Sequence, residues 1–344
     1  MNLPVASALR SPALLLALAL VTVSPAKADL NADLAFSAFS NVDVDALSGG
    51  AILQSRGGLV YFERGIMTQA LYIIDAEPKD VVYKLSHWSP HQHSELNVWF
   101  HQVLPAKPTL ADFSGMANIP ENKSVEYQFE ATEKMDANNP TLQLSKSEAQ
   151  GVAALKGGNA KELYARAWAP ILLSRINSFL GGRGGSDTYY VNGKDIRPLT
   201  DIKSLLHAET KVYGQFQRFL NQTPVKSSSG AAIKLQPVTL YYDLFDVQGY
   251  AALATGAIYQ TAVGTGYQSF DVEYFINSGV YATVEMEQLW PITVGGKTKT
   301  LVWRGDFVSA PSIAGLGGTE RLASRMIMLQ DVKQGILAFR SEFK

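Results

Sequence analysis

Cysteine is absent from the 344 residues. That excludes disulfides, a thiolate nucleophile, thiolate-ligated metals and a cysteine-borne lipid anchor. An excess of either charge is absent too, with Lys+Arg 30 against Asp+Glu 31. No basic face for nucleic acid or for anionic lipid is therefore expected. Beyond the first 28 residues no apolar run approaches the ~18 residues of a membrane span, so the mature chain has no helical one. Neither a G-x-S-x-G elbow nor an H-E-x-x-H helix is present, which disfavours a serine hydrolase of that class and a zincin. Gly296-Lys297-Thr298 has the look of a phosphate-loop ending, but the required first glycine falls on Pro291 and the segment joins two strands. Charged residues are scarce at 18%, and aromatics at 10% exclude a disordered chain.

What is present starts with export. Arg10 supplies a positive start, Ala13–Val21 an apolar core too short to span a bilayer, and Ala26-Lys27-Ala28 a small-x-small cleavage site. Residues 1–28 are expected to be a signal peptide, cleaved after Ala28, leaving a soluble protein in the periplasm or outside the cell. The mature chain of about 300 residues can bury a large core without disulfides.

A lead-in is expected over 29–58, punctuated by Gly49-Gly50 and Gly57-Gly58. Residues 59–344 then read as one α+β domain. Leu59–Glu63 and Thr68–Asp75 are expected strands about the Arg64-Gly65 turn. Pro78 at a first helical position opens a short helix over Lys79–His87, with Val81, Val82 and Leu85 on its apolar face. Leu96–Leu104 and Ser124–Ala131 alternate as strands do. A helical insertion is expected at about 145–222: Ser145 and Glu148 form a capping box, Asn159 caps a helix to Leu180 with Pro170 inside it, and Thr200 caps a third. Ser227–Gly230 is the best linker.

The last third changes character. Val238–Phe245, Tyr267–Ile276, Val280–Trp290 and Thr300–Ser309 predict antiparallel strands, with turns at Gly279 and Gly295-Gly296. Phe270, Val272 and Tyr274 share one face and Asp271 and Glu273 the other; Val284 and Met286 oppose Glu285 and Glu287 likewise. The four acids are expected on a solvated sheet face. Leu322, Met326, Leu329, Val332, Ile336 and Phe339 make a helical stripe over 319–343.

Strands, then Ile74-Asp75-Ala76-Glu77-Pro78-Lys79-Asp80-Val81 opening a short helix, then an antiparallel sheet and a long last helix: this order resembles the START-like, helix-grip superfamily. The resemblance implies a sheet clasping the C-terminal helix around an elongated apolar cavity for lipids or other apolar ligands. It supplies no catalytic motif. On that reading the pocket is lined by Phe270, Val272, Tyr274, Val284, Met286 and Trp303 from the sheet, and by Met326 and Leu329 from the helix. No cofactor is expected.

Three functions follow as expectations. The first is binding or carriage of an apolar small molecule. The second is a metal-assisted envelope enzyme using His87, His91 and His93, whose imidazoles, with Glu95 beside them, suit zinc. The third is an envelope interaction protein with a filled core. Gly181–Gly185 around Arg183 is read as a flexible connector rather than an anion nest.

Overall fold

The computed structural model describes residues 30–57, 62–182, 189–191, 194–225 and 235–344. The expected signal segment, most of the Leu59–Glu63 strand, Arg183 and the Ser227–Gly230 linker lie outside them. In chain order the elements are α1 (Leu30–Asp33), α2 (Val44–Ser48), β1 (Leu53–Ser55), β2 (Gly65–Ile74), α3 (Pro78–Leu85) and β3 (Val98–Leu104). Next come α4 (Lys123–Glu133), α5 (Lys146–Ala154), α6 (Ala160–Leu180), β4 (Tyr189–Val191), β5 (Lys194–Ile196), α7 (Pro198–Ala208) and α8 (Thr210–Leu220). The chain closes with β6 (Thr239–Val247), β7 (Tyr250–Val263), β8 (Gly266–Ile276), β9 (Ala282–Val294), β10 (Lys297–Ser309) and α9 (Gly318–Ser341).

The molecule mixes helices with one large antiparallel sheet of eight strands, ordered β1-β2-β10-β9-β8-β7-β6-β3. Strands β6 to β10 form a continuous meander of hairpins, as glycine-marked turns between strands allow. β2 docks on β10 along its whole length, from Gly65 opposite Ser309 to Ile74 opposite Thr300. β4 and β5 make a separate small hairpin.

Two helical layers cover the sheet. One face carries Met67, Leu71, Tyr259, Phe270, Val272, Val284, Met286 and Trp303 and packs on α4 to α8 in the main hydrophobic core. Capping organises that layer: Ser145 with Glu148 and Asn159 with Glu162 satisfy the first amides of α5 and α6. Pro170 lies inside α6 without ending it. Arg175 of α6 ties back to Glu148 of α5, and Arg64 pairs with buried Asp201 of α7 at 2.7 Å.

The other face carries α3 and α9. Val332, Ile336 and Phe339 of α9 pack on Ala70, Tyr72 and Val302, beside Val81 and Val82 of α3. The helix follows β1 and β2: Gln54 donates to the Leu329 carbonyl, and Arg340 donates to the carbonyls of Ile73, Gly50 and Ala51. The loop 86–97 runs from α3 to β3. His93 there meets Glu342 just past α9 at 2.8 Å, although β3 and β1 are the opposite edges of the sheet. Thus α3, the loop and α9 together lie over the face that α4 to α8 leave free.

Three sequence expectations need correction. Ser124–Ala131 is not a strand but the body of α4, capped by Asn122, whose side chain accepts from the amides of Ser124 and Val125. Its buried residues Val125, Gln128, Phe129 and Thr132 recur at helical spacing. The helical layer also begins before residue 145, since α4 belongs to it. β7 was not anticipated, because Ala251, Ala252, Ala254 and Ala257 are poor strand formers. They are used where both faces are covered and only small side chains fit.

Candidate functional site: an acidic face of the sheet

The eight residues expected to line an apolar pocket do not come together. Phe270, Val272, Tyr274, Val284, Met286 and Trp303 are buried on the face covered by α4 to α8. Aromatic rings from those helices fill the space above them. Phe179 stacks on Tyr274 at 3.7 Å, Phe216 lies 5.7 Å from Trp303, and Phe219 lies 6.4 Å from Phe270. Met326 and Leu329 sit on α9, on the opposite side of the sheet; Leu329 is buried and Met326 is 49% exposed. A cavity of about 10 Å³ between α7 and α8 has room for roughly one water and touches none of the eight.

The loop histidines do not converge either. His87 is exposed, hydrogen-bonds Ser86 and the Tyr83 carbonyl, and stacks on Tyr83. His93 engages Glu342. His91 lies parallel to His101 with ring centres 6.0 Å apart. Among the described residues no group of three or more His, Asp or Glu side chains is placed to hold a metal ion.

The chemistry instead gathers on the α9 face. Strand alternation sends Tyr72 and Thr68 of β2, Arg304 and Asp306 of β10, Glu285 and Glu287 of β9, Asp271 and Glu273 of β8, Tyr241 and Asp243 of β6 and His101 of β3 to that side. Register then lines them up. Thr68 stands opposite Asp306, Asp306 opposite Glu285, and Glu285 opposite Asp271. Three carboxyl groups on three adjacent strands are direct neighbours, an arrangement that is destabilising when all are charged.

Each acid is held by one partner. Arg304 bonds Asp306 and reaches Glu285 at 2.6 Å. The Tyr241 hydroxyl donates to Asp271 at 2.7 Å, the Thr283 hydroxyl to Glu273 at 2.5 Å, and the Tyr72 hydroxyl to Glu287 at 3.3 Å. His101 Nδ1 lies 2.6 Å from Asp243. Gly256 makes room for this arrangement: a methyl group there would overlap the Tyr241 ring.

Enclosure perturbs the whole set. Burial lifts the Asp271 carboxyl to about 8, against the Tyr241 hydrogen bond and with help from Glu273 and Asp243. Burial lifts Glu273 to about 7. Glu285 and Glu287 are also raised, by burial first; Arg304 opposes this in both. Burial works against the charge of Arg304, but Asp306 and Glu285 overcome it and hold the guanidinium firmly protonated. His101 loses solvation and yet is raised, because Asp243 lies beside it. Asp271, Glu273 and Glu285 remain half-buried, whereas Glu287, Asp306 and Asp243 are buried. The three half-buried groups are therefore the ones a solute can reach.

The sequence correctly set these acids opposite the apolar residues, but expected a solvated face. The second layer, α3, the 86–97 loop and α9, changes that environment. Arg304, Asp306, Tyr72, Tyr241, Asp243 and the role of His101 were not singled out. Arg304 and Asp306 share the period-2 pattern of Glu285 and Glu287, which was the available signal. The fold defines a class, an α+β protein with one large antiparallel sheet between helices and a row of titratable acids on one sheet face. Compared with known proteins, the sequence matches no family model and no curated protein.

Proposed function

We propose that this chain is an exported binding protein whose small-molecule ligand lies on the acidic sheet face opposite α4 to α8. The helix-grip resemblance supports the location, a curved sheet closing on its last helix. The export reading rests on Arg10, Ala13–Val21 and Ala26-Lys27-Ala28. The ligand differs in character from the apolar molecule that the resemblance implies, because the accessible groups on the sheet face opposite α4 to α8 are carboxyls. One observation carries the reading. Six carboxyl groups share this enclosed face with one arginine and His101, and three of them stay accessible. A purely structural sheet face gains little from such groups, since apolar side chains of similar size pack there as well or better. Clusters of perturbed titratable groups are over-represented at binding and catalytic surfaces.

The test is a thermal-shift panel on the purified mature protein: fatty acids, neutral sugars, amino acids and amines. A compound that raises the melting temperature of wild type, and loses that effect in the double variant Asp271→Asn/Glu285→Gln, supports the reading. A stabilising compound whose effect survives in the double variant and disappears in Val284→Phe would move the site to the opposite face and overturn it.

A further inference from the structure

Arginines that lie against the body of this protein are held by acids. Arg64 holds Asp201, Arg175 holds Glu148, and Arg304 holds Glu285 and Asp306. Arg325, in the N-terminal half of α9, breaks the pattern. It is 6% exposed, yet its side chain makes no hydrogen bond or ion pair among the described residues. Its Nε is sealed from solvent without an acceptor, whereas its two terminal nitrogens are not sealed. Buried charges are normally paired, and one left alone is among the most costly features a fold can carry. The guanidinium therefore lacks an anion, and its outer end is open to receive one.

Positive charge gathers around it. Arg321 precedes Arg325 by one turn on the same face of α9. It donates to the carbonyls of Phe62, Gly65, Ile313 and Leu316 at 3.2 to 3.4 Å, all neutral acceptors that leave its charge unmatched. Arg56 follows β1, is exposed and has no ion pair. β1 runs beside α9: Gln54 donates to the Leu329 carbonyl, one turn beyond Arg325, so Arg56 comes level with Arg325. Burial and Arg321 both work against the charge of Arg325, and Arg56 adds to them. Glu209, between α7 and α8, is the one acid whose charge reaches Arg325, but it forms no ion pair with it, and burial works against its own charge too. Three guanidiniums thus meet beside the β1 edge of the sheet with one unpaired carboxyl among them. An anion with two charges balances that surplus, and the forked donors of arginine suit the several oxygens of a phosphate group.

We propose that Arg56, Arg321 and Arg325 form a binding site for a phosphate group. Arg325 is its inner cation, Arg321 its neighbour along α9, and Arg56 its exposed outer cation. The site uses none of the acids of the sheet face and does not depend on the reading given to them.

Isothermal titration of the dialysed protein with inorganic phosphate tests it, with chloride at matched ionic strength as the comparison. Saturable phosphate binding is expected, with chloride weaker by roughly tenfold or more. Arg325→Met keeps the aliphatic stem and removes the charge, and should weaken phosphate binding by roughly tenfold or more. In phosphate-free chloride buffer the same variant should melt at or above wild type, because an unpaired buried charge has gone; an arginine serving only the fold would give a lower melt. Arg56→Ala changes an exposed residue, leaves the core intact and should weaken phosphate binding several-fold. Glycerol 3-phosphate and vesicles of phosphatidic acid then offer the same group from solution and from a membrane. Binding of either that is lost in Arg325→Met supports the site and tells which source supplies it. The proposal is overturned by the absence of saturable phosphate binding, by binding that survives unchanged in Arg325→Met and Arg56→Ala, or by an Arg325→Met protein that melts well below wild type in chloride.

Discussion

Replacing Asp271 by asparagine should stabilise this protein at alkaline pH. The amide oxygen of asparagine still accepts the hydrogen bond from Tyr241, so the geometry is kept and only the charge is removed. In the unfolded chain this carboxyl ionises near 3.8; in the folded protein it ionises at about 8, chiefly through burial. The folded state therefore holds its proton more tightly than the unfolded one. Stability contributed by that proton is complete below pH 3.8 and is lost as pH rises toward 8. The full difference corresponds to ~6 kcal/mol. Asp271 is only half-buried, and solvent reaching its free oxygen screens part of this, so about 2–3 kcal/mol is expected in practice. Urea unfolding of wild type and Asp271→Asn at a series of pH values is the assay. The two curves should nearly coincide at about pH 4 and diverge steadily to about pH 8, with the variant above. A variant less stable than wild type at alkaline pH would refute the reasoning. So would a gap that does not change with pH, since a constant gap reflects packing rather than a proton.

Arg304→Met leaves Glu285 and Asp306 without their cation and should cost ~3–5 kcal/mol at neutral pH, read by denaturant melts; a loss under ~1 kcal/mol would mean the arginine contributes little to the fold. Gly256→Ala drives a methyl group into the Tyr241 ring, so a loss of ~1–3 kcal/mol is expected, together with a weaker Tyr241–Asp271 bond seen as a change in tyrosine absorbance on alkaline titration. Val284→Phe enlarges a side chain that is 2% exposed and packed under the helical layer, and should cost ~1–3 kcal/mol; an unchanged melting temperature would reveal unfilled space there.

Local chemistry made much of the architecture legible. Pro78 opened α3, Ser145 and Glu148 opened α5, and Asn159 opened α6, because caps satisfy backbone amides within one turn and need no distant partner. The hairpins β8–β9 and β9–β10 followed from alternation and glycine turns. β7 escaped because its alanines report the space left by two covering layers rather than any strand preference. α4 was taken for a strand because a short run with apolar residues at 125, 127, 129 and 131 fits period 2 as well as helical spacing.

The candidate site failed for a different reason. Alternation sorts residues onto two faces, but it does not say which helix covers which face. The stripe on α9 was matched with the apolar face, and α5 to α8 took that position instead. The acids were thereby moved from presumed solvent into an enclosure, and their chemistry changed with it. Burial of a charged group is a property of the layer above it, which single-strand patterns do not contain.

The pairing of β2 with β10 has a consequence for how the molecule reaches its native state. β6 to β10 can zip together from neighbouring hairpins, whereas β2 must wait for a strand from the far end of the chain. Until β10 and then α9 have been synthesised, β2 has only the three-residue β1 as a strand partner. Non-local closure of this kind slows folding and prolongs exposure of strand edges. A chain truncated before Lys297 should therefore be captured by chaperones or proteases rather than collect as a stable fragment.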